Sequence, residues 1–336
     1  MTERSDIKRQ RGNIFGKKLT AQLGSDGYSL GLWLAVISAF GFSFKAILIK
    51  LAYALPQQVP VDAVTLLTLR MLFALPFFLL LLWFSGNHGQ SLSRKDLAVV
   101  IILGCVGYYG ASIFDFLGLN YVSAGLERMI LFSFPLLTLF FDAIFCRRKI
   151  RGYEWLAVLI CYSGISLAFV HDMNVAGVQE EIWVGGGFIF LSALCYAFYL
   201  SGGRHLIATY GSSRFACSAL IISTAATLAH FGVSHPLNAL SQPWKIYLLA
   251  LVMATFSTVM PVLALAAAIK RIGSAPAALI GSLGPILTIG LGWWLLDESI
   301  SPIQIGGALL VVSGVILVGN GGRKSAASCV VEKTQE

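Results

Sequence analysis

Residues 269–317 read IKRIGSAPAALIGSLGPILTIGLGWWLLDESISPIQIGGALLVVSGVIL. Two apolar runs, at 274–296 and 302–320, flank a short polar break at Asp297, Glu298 and Ser299. Each run has the ~20 residues that an α-helix needs to cross the hydrocarbon core of a bilayer. The stretch also has a copy. Shifting the chain by 150 positions lays Ile280, Pro285, Leu287, Thr288, Ile300, Leu309, Ser313, Gly314 and Leu317 over Ile130, Pro135, Leu137, Thr138, Ile150, Leu159, Ser163, Gly164 and Leu167. The break is acidic in the later copy and basic in the earlier one, where Arg147 and Arg148 stand. Positive charge is retained on the cytoplasmic side of a membrane, so the two copies are expected to cross in opposite directions.

The rest of the chain fits this reading. Of its 336 residues, 57% are hydrophobic and only 12% charged, with a mean hydropathy of +0.79, against roughly 25% charged in a typical soluble chain. So few charges cannot coat a water-soluble enzyme, whereas a surface facing lipid needs none. Ten apolar runs of spanning length occur, at about 30–50, 63–84, 97–119, 122–145, 153–170, 182–203, 214–233, 246–268, 274–296 and 302–320. The expected fold is an all-α integral membrane protein with ten transmembrane helices in two inverted five-helix repeats. A weaker match at an offset of 154, pairing Gly31, Ser38, Ala39 and Lys50 with Gly185, Ser192, Ala193 and Arg204, extends the duplication to all five spans. The expected organisation is a basic cytoplasmic tail at 1–28, a first repeat at 29–170, a second repeat at 182–320 and a cytoplasmic tail at 321–336. No small-residue cleavage site follows the first apolar run, so the first span is read as retained.

The net charge of +8 is spread over connections rather than gathered into a patch, which argues for membrane orientation and against nucleic-acid binding. With the N-terminus inside, one face holds Arg94, Lys95, Arg147, Arg148, Lys149, Arg151, Arg204, Arg214, Lys270, Arg271, Arg323, Lys324 and Lys333, and the other only Lys50 and Lys245. Both termini are therefore expected to be cytoplasmic, in a cell (inner) membrane. The six cysteines (Cys105, Cys146, Cys161, Cys195, Cys217 and Cys329) lack the two-residue spacing of zinc or redox motifs and read as small hydrophobes. No metal or cofactor is expected, and no phosphate-binding loop suggests coupling to ATP.

At residues 269–317 the chain resembles the EamA family of the drug/metabolite transporter superfamily. The resemblance rests on Lys270, Arg271 and Gly273 before a small-residue helix (Ala275, Ala277), Pro285 at mid-span, Glu298 at its end, and Gly306, Gly307 and Gly314 in a glycine-rich last helix. The first half carries Gly41 and Lys50, then Leu69, Arg70 and Met71, then Ser123, Ala124 and Pro135. It departs from the family at one place, where Cys146, Arg147, Arg148 and Lys149 replace the helix-ending Glu. The resemblance spans about residues 30–320 and implies a ten-helix metabolite exporter. Its partners are then the lipid bilayer and a small-molecule substrate, and no enzymatic activity is implied. An importer of such solutes is the alternative, while a membrane-embedded enzyme or a channel is disfavoured by the lack of clustered His, Asp or Cys and by the inverted repeat.

Ionisable residues within spans point to a site, because charge at bilayer depth costs ~2.5–3.5 kcal/mol even on the lenient insertion scale. Lys45, Arg70, Asp115, Glu127 and Arg128 form such a set, and the second half has no counterpart. Two readings are open: a polar substrate site, or fixed ion pairs in which Asp115 and Glu127 neutralise the cations. As a site, three cations against two carboxylates leave one cation for a substrate carboxylate. Arg70 is the first choice for that contact, since guanidinium grips a carboxylate with two hydrogen bonds. Glu127 is the candidate for proton coupling, because a carboxyl group removed from water takes up a proton more readily. Pro135 and Pro285 mark helix breaks that either expose backbone to substrate or only kink the packing, with Ser133, Thr138, Ser282 and Thr288 beside them. Tyr108, Tyr109, Phe114, Tyr196, Tyr199 and Trp293 are candidate cavity aromatics, with Tyr108 and Tyr199 taken as substrate-contacting.

Overall fold

The computed structural model describes residues 3–56, 61–84, 93–145, 149–176 and 179–322. Cys146, Arg147, Arg148, Arg323, Lys324, Cys329 and Lys333 lie outside the described residues. Every regular element among the described residues is helical. Among the described residues, nine helices are long and apolar enough to cross a membrane: α1 (Gly27–Ala54, the apolar part of a helix that starts at Glu3), α2 (Ala63–Phe84), α3 (Arg94–Gly118), α4 (Ala124–Ile144), α5 (Gly152–Met173), α6 (Glu180–Gly202), α7 (Ser212–Ser234), α8 (Trp244–Ile272) and α9 (Pro276–Leu296). A shorter apolar helix, α10 (Pro302–Leu317), completes the ten.

Side-chain contacts between helix ends fix an alternating up-and-down order. Lys50 at the end of α1 reaches Glu298 just after α9, and Glu298 accepts from the backbone of Ala124 at the start of α4. His235, after α7, meets Asp62 before α2, and Asp172 near the end of α5 accepts from Ser123 before α4. These ends share one face of the bundle. At the other face Tyr210, in the short helix after α6, donates to Asp96 at the start of α3, and Arg204 pairs with Asp142 near the end of α4. All seven tryptophans are exposed and sit near helix ends, where an amphipathic ring anchors at the lipid headgroups.

Lipid tails offer no hydrophobic gain for joining two helices, so close packing must do it. A Cβ added at Gly164 of α5 would fall 2.4 Å from the carbonyl oxygen of Gly307 in α10, and one at Gly307 would fall 2.6 Å from that of Gly164. The two backbones touch there with no room for a side chain. Likewise Gly41 lets α1 lie against Pro261 of α8, where Ser38 donates to the Pro261 carbonyl at 2.9 Å.

Four helices are irregular, in repeat-related pairs. In α4 the helix stops at Leu131 and restarts at Phe134, with a turn at Phe132 and Ser133; in α9 it stops at Gly281 and restarts at Gly284, with a turn at Ser282 and Leu283. Pro135 and Pro285 each sit at the start of a second half, where a missing N–H costs nothing. The other pair widens by one residue per turn. The Gly110 N–H reaches back to Cys105 in α3, and the Met260 N–H to Thr255 in α8, five residues rather than four. Such π turns push side chains out of helical register.

Candidate functional site

These irregular stretches enclose a cavity of about 940 Å³. Its walls come from both repeats: Lys45 and Phe42 of α1, Arg70 of α2, Tyr108 of α3, Arg128 and Pro135 of α4, Tyr196 of α6, Thr258 of α8 and Gly281 of α9. It continues past Ala35, Leu265 and Ile272 to Gly273, between α8 and α9, and Pro276 at the start of α9. The cavity therefore runs from mid-bundle to the face that bears Arg94, Arg204 and Lys270.

The opposite face is shut. There the second half of α9 (Gly284–Leu296) packs on the first half of α4 (Ala124–Leu131), beside an apolar cluster that includes Ile47, Leu66, Phe116 and Met253. Glu298 closes the seam, accepting from the Ala124 N–H at 2.9 Å and lying 3.4 Å from Lys50 Nζ, while Lys50 donates to the Val122 carbonyl at 2.7 Å. Asp297, in left-handed conformation (φ 54°), turns the chain so that Glu298 folds back over Gly292; a Cβ there would stand 2.7 Å from Glu298 Oε2. The inverted equivalents, the second half of α4 (Phe134–Phe145) and the first half of α9 (Ser274–Gly281), are held apart with the cavity between them.

At the deep end, the structure gathers the five intramembrane charges. Lys45 Nζ lies 2.7 Å from Asp115 and 3.8 Å from Glu127, so one ammonium serves two carboxylates. Asp115 and Glu127 are almost wholly buried. Arg70 and Arg128 are left without a carboxylate within 4 Å among the described residues. Arg70 is 4% exposed; its Nε donates to Thr258 Oγ1 at 3.1 Å and its guanidinium lies 5.5 Å from the Phe116 ring. Thr258 lies in the π turn of α8, and its hydroxyl also donates to the Met253 carbonyl five residues back. Arg128, 9% exposed, lies over the Phe132 ring at 5.2 Å, and its Nε has no hydrogen-bond partner among the described residues. Each guanidinium is thus sheltered by a ring rather than neutralised.

Tyr108 lines the cavity next to Tyr196. Tyr199 does not line it; it lies one layer behind, edge-on to Tyr108 at 5.7 Å and stacked on Phe215 at 5.0 Å. Tyr109 turns away to hydrogen-bond His230, Phe114 stacks on Phe188, and Trp293 faces outward at 58% exposure. Of the residues flanking the breaks, Ser282 lines the cavity and donates to the Leu279 carbonyl; Thr138 donates to Phe134 and Thr288 to Ser43. Sequence reasoning missed Ser257 and Thr258 on the cavity wall. The 150-residue offset was a usable signal, since it carries Tyr108 onto Thr258.

The family model for the EamA-like transporter family matches residues 29–170 and 183–320. Two proteins of Bacillus subtilis (strain 168) are similar. The uncharacterized transporter YcbK is 33% identical over 295 residues, 85% of this chain and 92% of its own. The uncharacterized transporter YyaM is 26% identical over 246 residues, 71% of this chain and 78% of its own. One protein of known crystal structure superposes on 88% of this chain and 98% of its own with a TM-score of 0.57 at 16% identity, a likeness of fold.

Proposed function

The chain belongs to the EamA-like transporter family, and on that premise we propose that it exports small organic solutes carrying a carboxylate, amino acids and their relatives among them, by alternating access. The observation that carries this reading is the unequal packing of equivalent half-helices: α9 on α4 at the Glu298 face, a cavity between the same helices at the other. Two inverted repeats that exchange conformations would exchange the open face. The open face is the basic one, which retention of positive charge assigns to the cytoplasm, so this state loads from inside. Arg70 takes the solute carboxylate, with Lys45, Asp115 and Arg128 around it and Tyr108 beside its apolar part. Glu127 carries the coupled proton, a role supported by its burial and by its sharing of Lys45 with Asp115.

Reconstituted vesicles loaded with a panel of amino acids and carboxylic acids test this directly. The expected result is efflux of a subset that Arg70→Ala abolishes. Efflux indistinguishable from empty vesicles across the panel would refute transport of carboxylate solutes.

A further inference from the structure

The cavity presents two guanidiniums, each without a carboxylate in contact among the described residues. Lys45 makes the ion pairs to both carboxylates, and Arg70 and Arg128 each line the cavity near that pair but with no carboxylate within 4 Å among the described residues. An uncompensated charge out of water is strongly disfavoured, and a ring face compensates only part of it. The two guanidiniums are also anchored separately, on different helices: Arg70 by Thr258 and Phe116, Arg128 over Phe132. Tyr108 and Tyr196 line the same cavity as the two cations. Two separately anchored forks lining one cavity can each grip a planar anion with two hydrogen bonds.

Resting on the transport reading above, we infer that the solute is a small organic dicarboxylate, one carboxylate held by Arg70 and the other by Arg128, and that a proton enters the Asp115–Glu127 pair with it. The proton follows from charge balance. With both protein carboxylates ionised, the empty cluster has one net positive charge, and a dicarboxylate would leave it with one net negative charge at bilayer depth. A proton from the solution at the mouth, taken onto a carboxyl oxygen of Asp115 or Glu127, restores neutrality, and Lys45 stays on the carboxylate that remains. The groups facing this pair are Lys45 and Tyr53 from α1, Arg70 from α2 and Arg128 from α4. Asp172 of α5 and Glu298 after α9 stand off at the closed end, against Ser123 and Ala124.

The test compares succinate with succinamate, which has nearly the same shape and one carboxylate fewer, in reconstituted vesicles. Wild type should move succinate at least about tenfold faster, the scale of one charge-assisted pair, and Arg128→Gln should bring the ratio near one. Thermal unfolding of the wild-type protein in detergent gives a second reading that does not depend on how that variant folds: succinate should raise the midpoint and succinamate should not. Between about pH 7 and 8, where succinate keeps both charges, movement should quicken as pH falls, and Glu127→Gln should move succinate without this dependence. If succinate and succinamate move and stabilise equally, the dicarboxylate inference is wrong while the carboxylate transporter stands. If succinate is preferred but its rate is independent of pH, the proton half is wrong. If neither they nor any monocarboxylate amino acid moves, the transport reading falls as well.

Discussion

Glu298 holds the closed face together, and removing it should open that face by a calculable amount. Its carboxylate accepts from the Ala124 N–H at 2.9 Å, at the N-terminus of α4, and lies 3.4 Å from Lys50 Nζ. The first contact is a charge-assisted hydrogen bond to a helix start, of order 1.5–3 kcal/mol. The second adds less, because the two side chains are 25% and 18% exposed and an ion pair in contact with water contributes at most about 1 kcal/mol. Glu298→Ala loses both, and some of that loss is recovered as water enters, leaving about 2 kcal/mol. That is about a 30-fold shift in the ratio of the two access states. Glu298→Gln keeps an acceptor for Ala124 and should shift it only about fivefold. A thiol introduced at Ser112, on the cavity wall, reports the ratio in a background lacking the six native cysteines. With a membrane-impermeant maleimide applied at the closed face, labelling should accelerate in the order wild type, Glu298→Gln, Glu298→Ala. An unchanged rate in Glu298→Ala would refute the assignment of Glu298 as the closure.

Gly292→Ala should act like Glu298→Ala on the same assay, since the added methyl group displaces the carboxylate. Gly307→Val places bulk where the Gly164 carbonyl lies and should split α5 from α10, lowering the yield of monodisperse protein; normal yield would show that the contact yields without cost. Pro135→Ala and Pro285→Ala should give well-folded protein with impaired transport, because each proline sits where no N–H is needed yet keeps the two halves of its helix separate; wild-type rates in both would reduce them to packing kinks. Thiols introduced at Glu180 and Arg94 should be labelled from opposite faces, with Glu180 reached from outside; labelling of both from one face would overturn the ten-helix order.

The spans were legible because lipid demands about 20 apolar residues and little else matches that demand. The charge cluster was legible for a related reason: Lys45, Arg70, Asp115, Glu127 and Arg128 stand in stretches where any charge is costly. Their pairing was not. Sequence left Asp115 and Glu127 free to neutralise any of three cations, and the structure gives both to Lys45, which depends on where α1 and α3 meet. The π turns left no mark either, since a helix that widens by one residue needs no special residue type; yet Thr258, which meets Arg70, lies in one of them. Tyr199 and Trp293 show the limit of reading aromatics in spans, where a ring one layer back and a ring facing lipid look alike in sequence.

The departure from the family pattern in the first repeat finds its physical meaning in the ion pairs. Lys50 and Arg204 are repeat equivalents, and so are Gly292 and Asp142. At one face Lys50 pairs with Glu298, whose carboxylate lies over Gly292; at the other Arg204 pairs with Asp142 itself, which also accepts from Ser201. Each repeat thus offers a carboxylate near the same position of its broken helix. The second repeat supplies it from the following connection, over a residue too small to block it, and the first supplies it from the helix. The two arrangements differ in what they join. Glu298 also grips the start of α4 and so joins the two repeats, whereas among the described residues Asp142 binds the end of α6 and its continuation at the other face. If the protein works by the alternating access proposed above, this unequal reach of two equivalent carboxylates would bias the bundle toward the state with the Glu298 face closed.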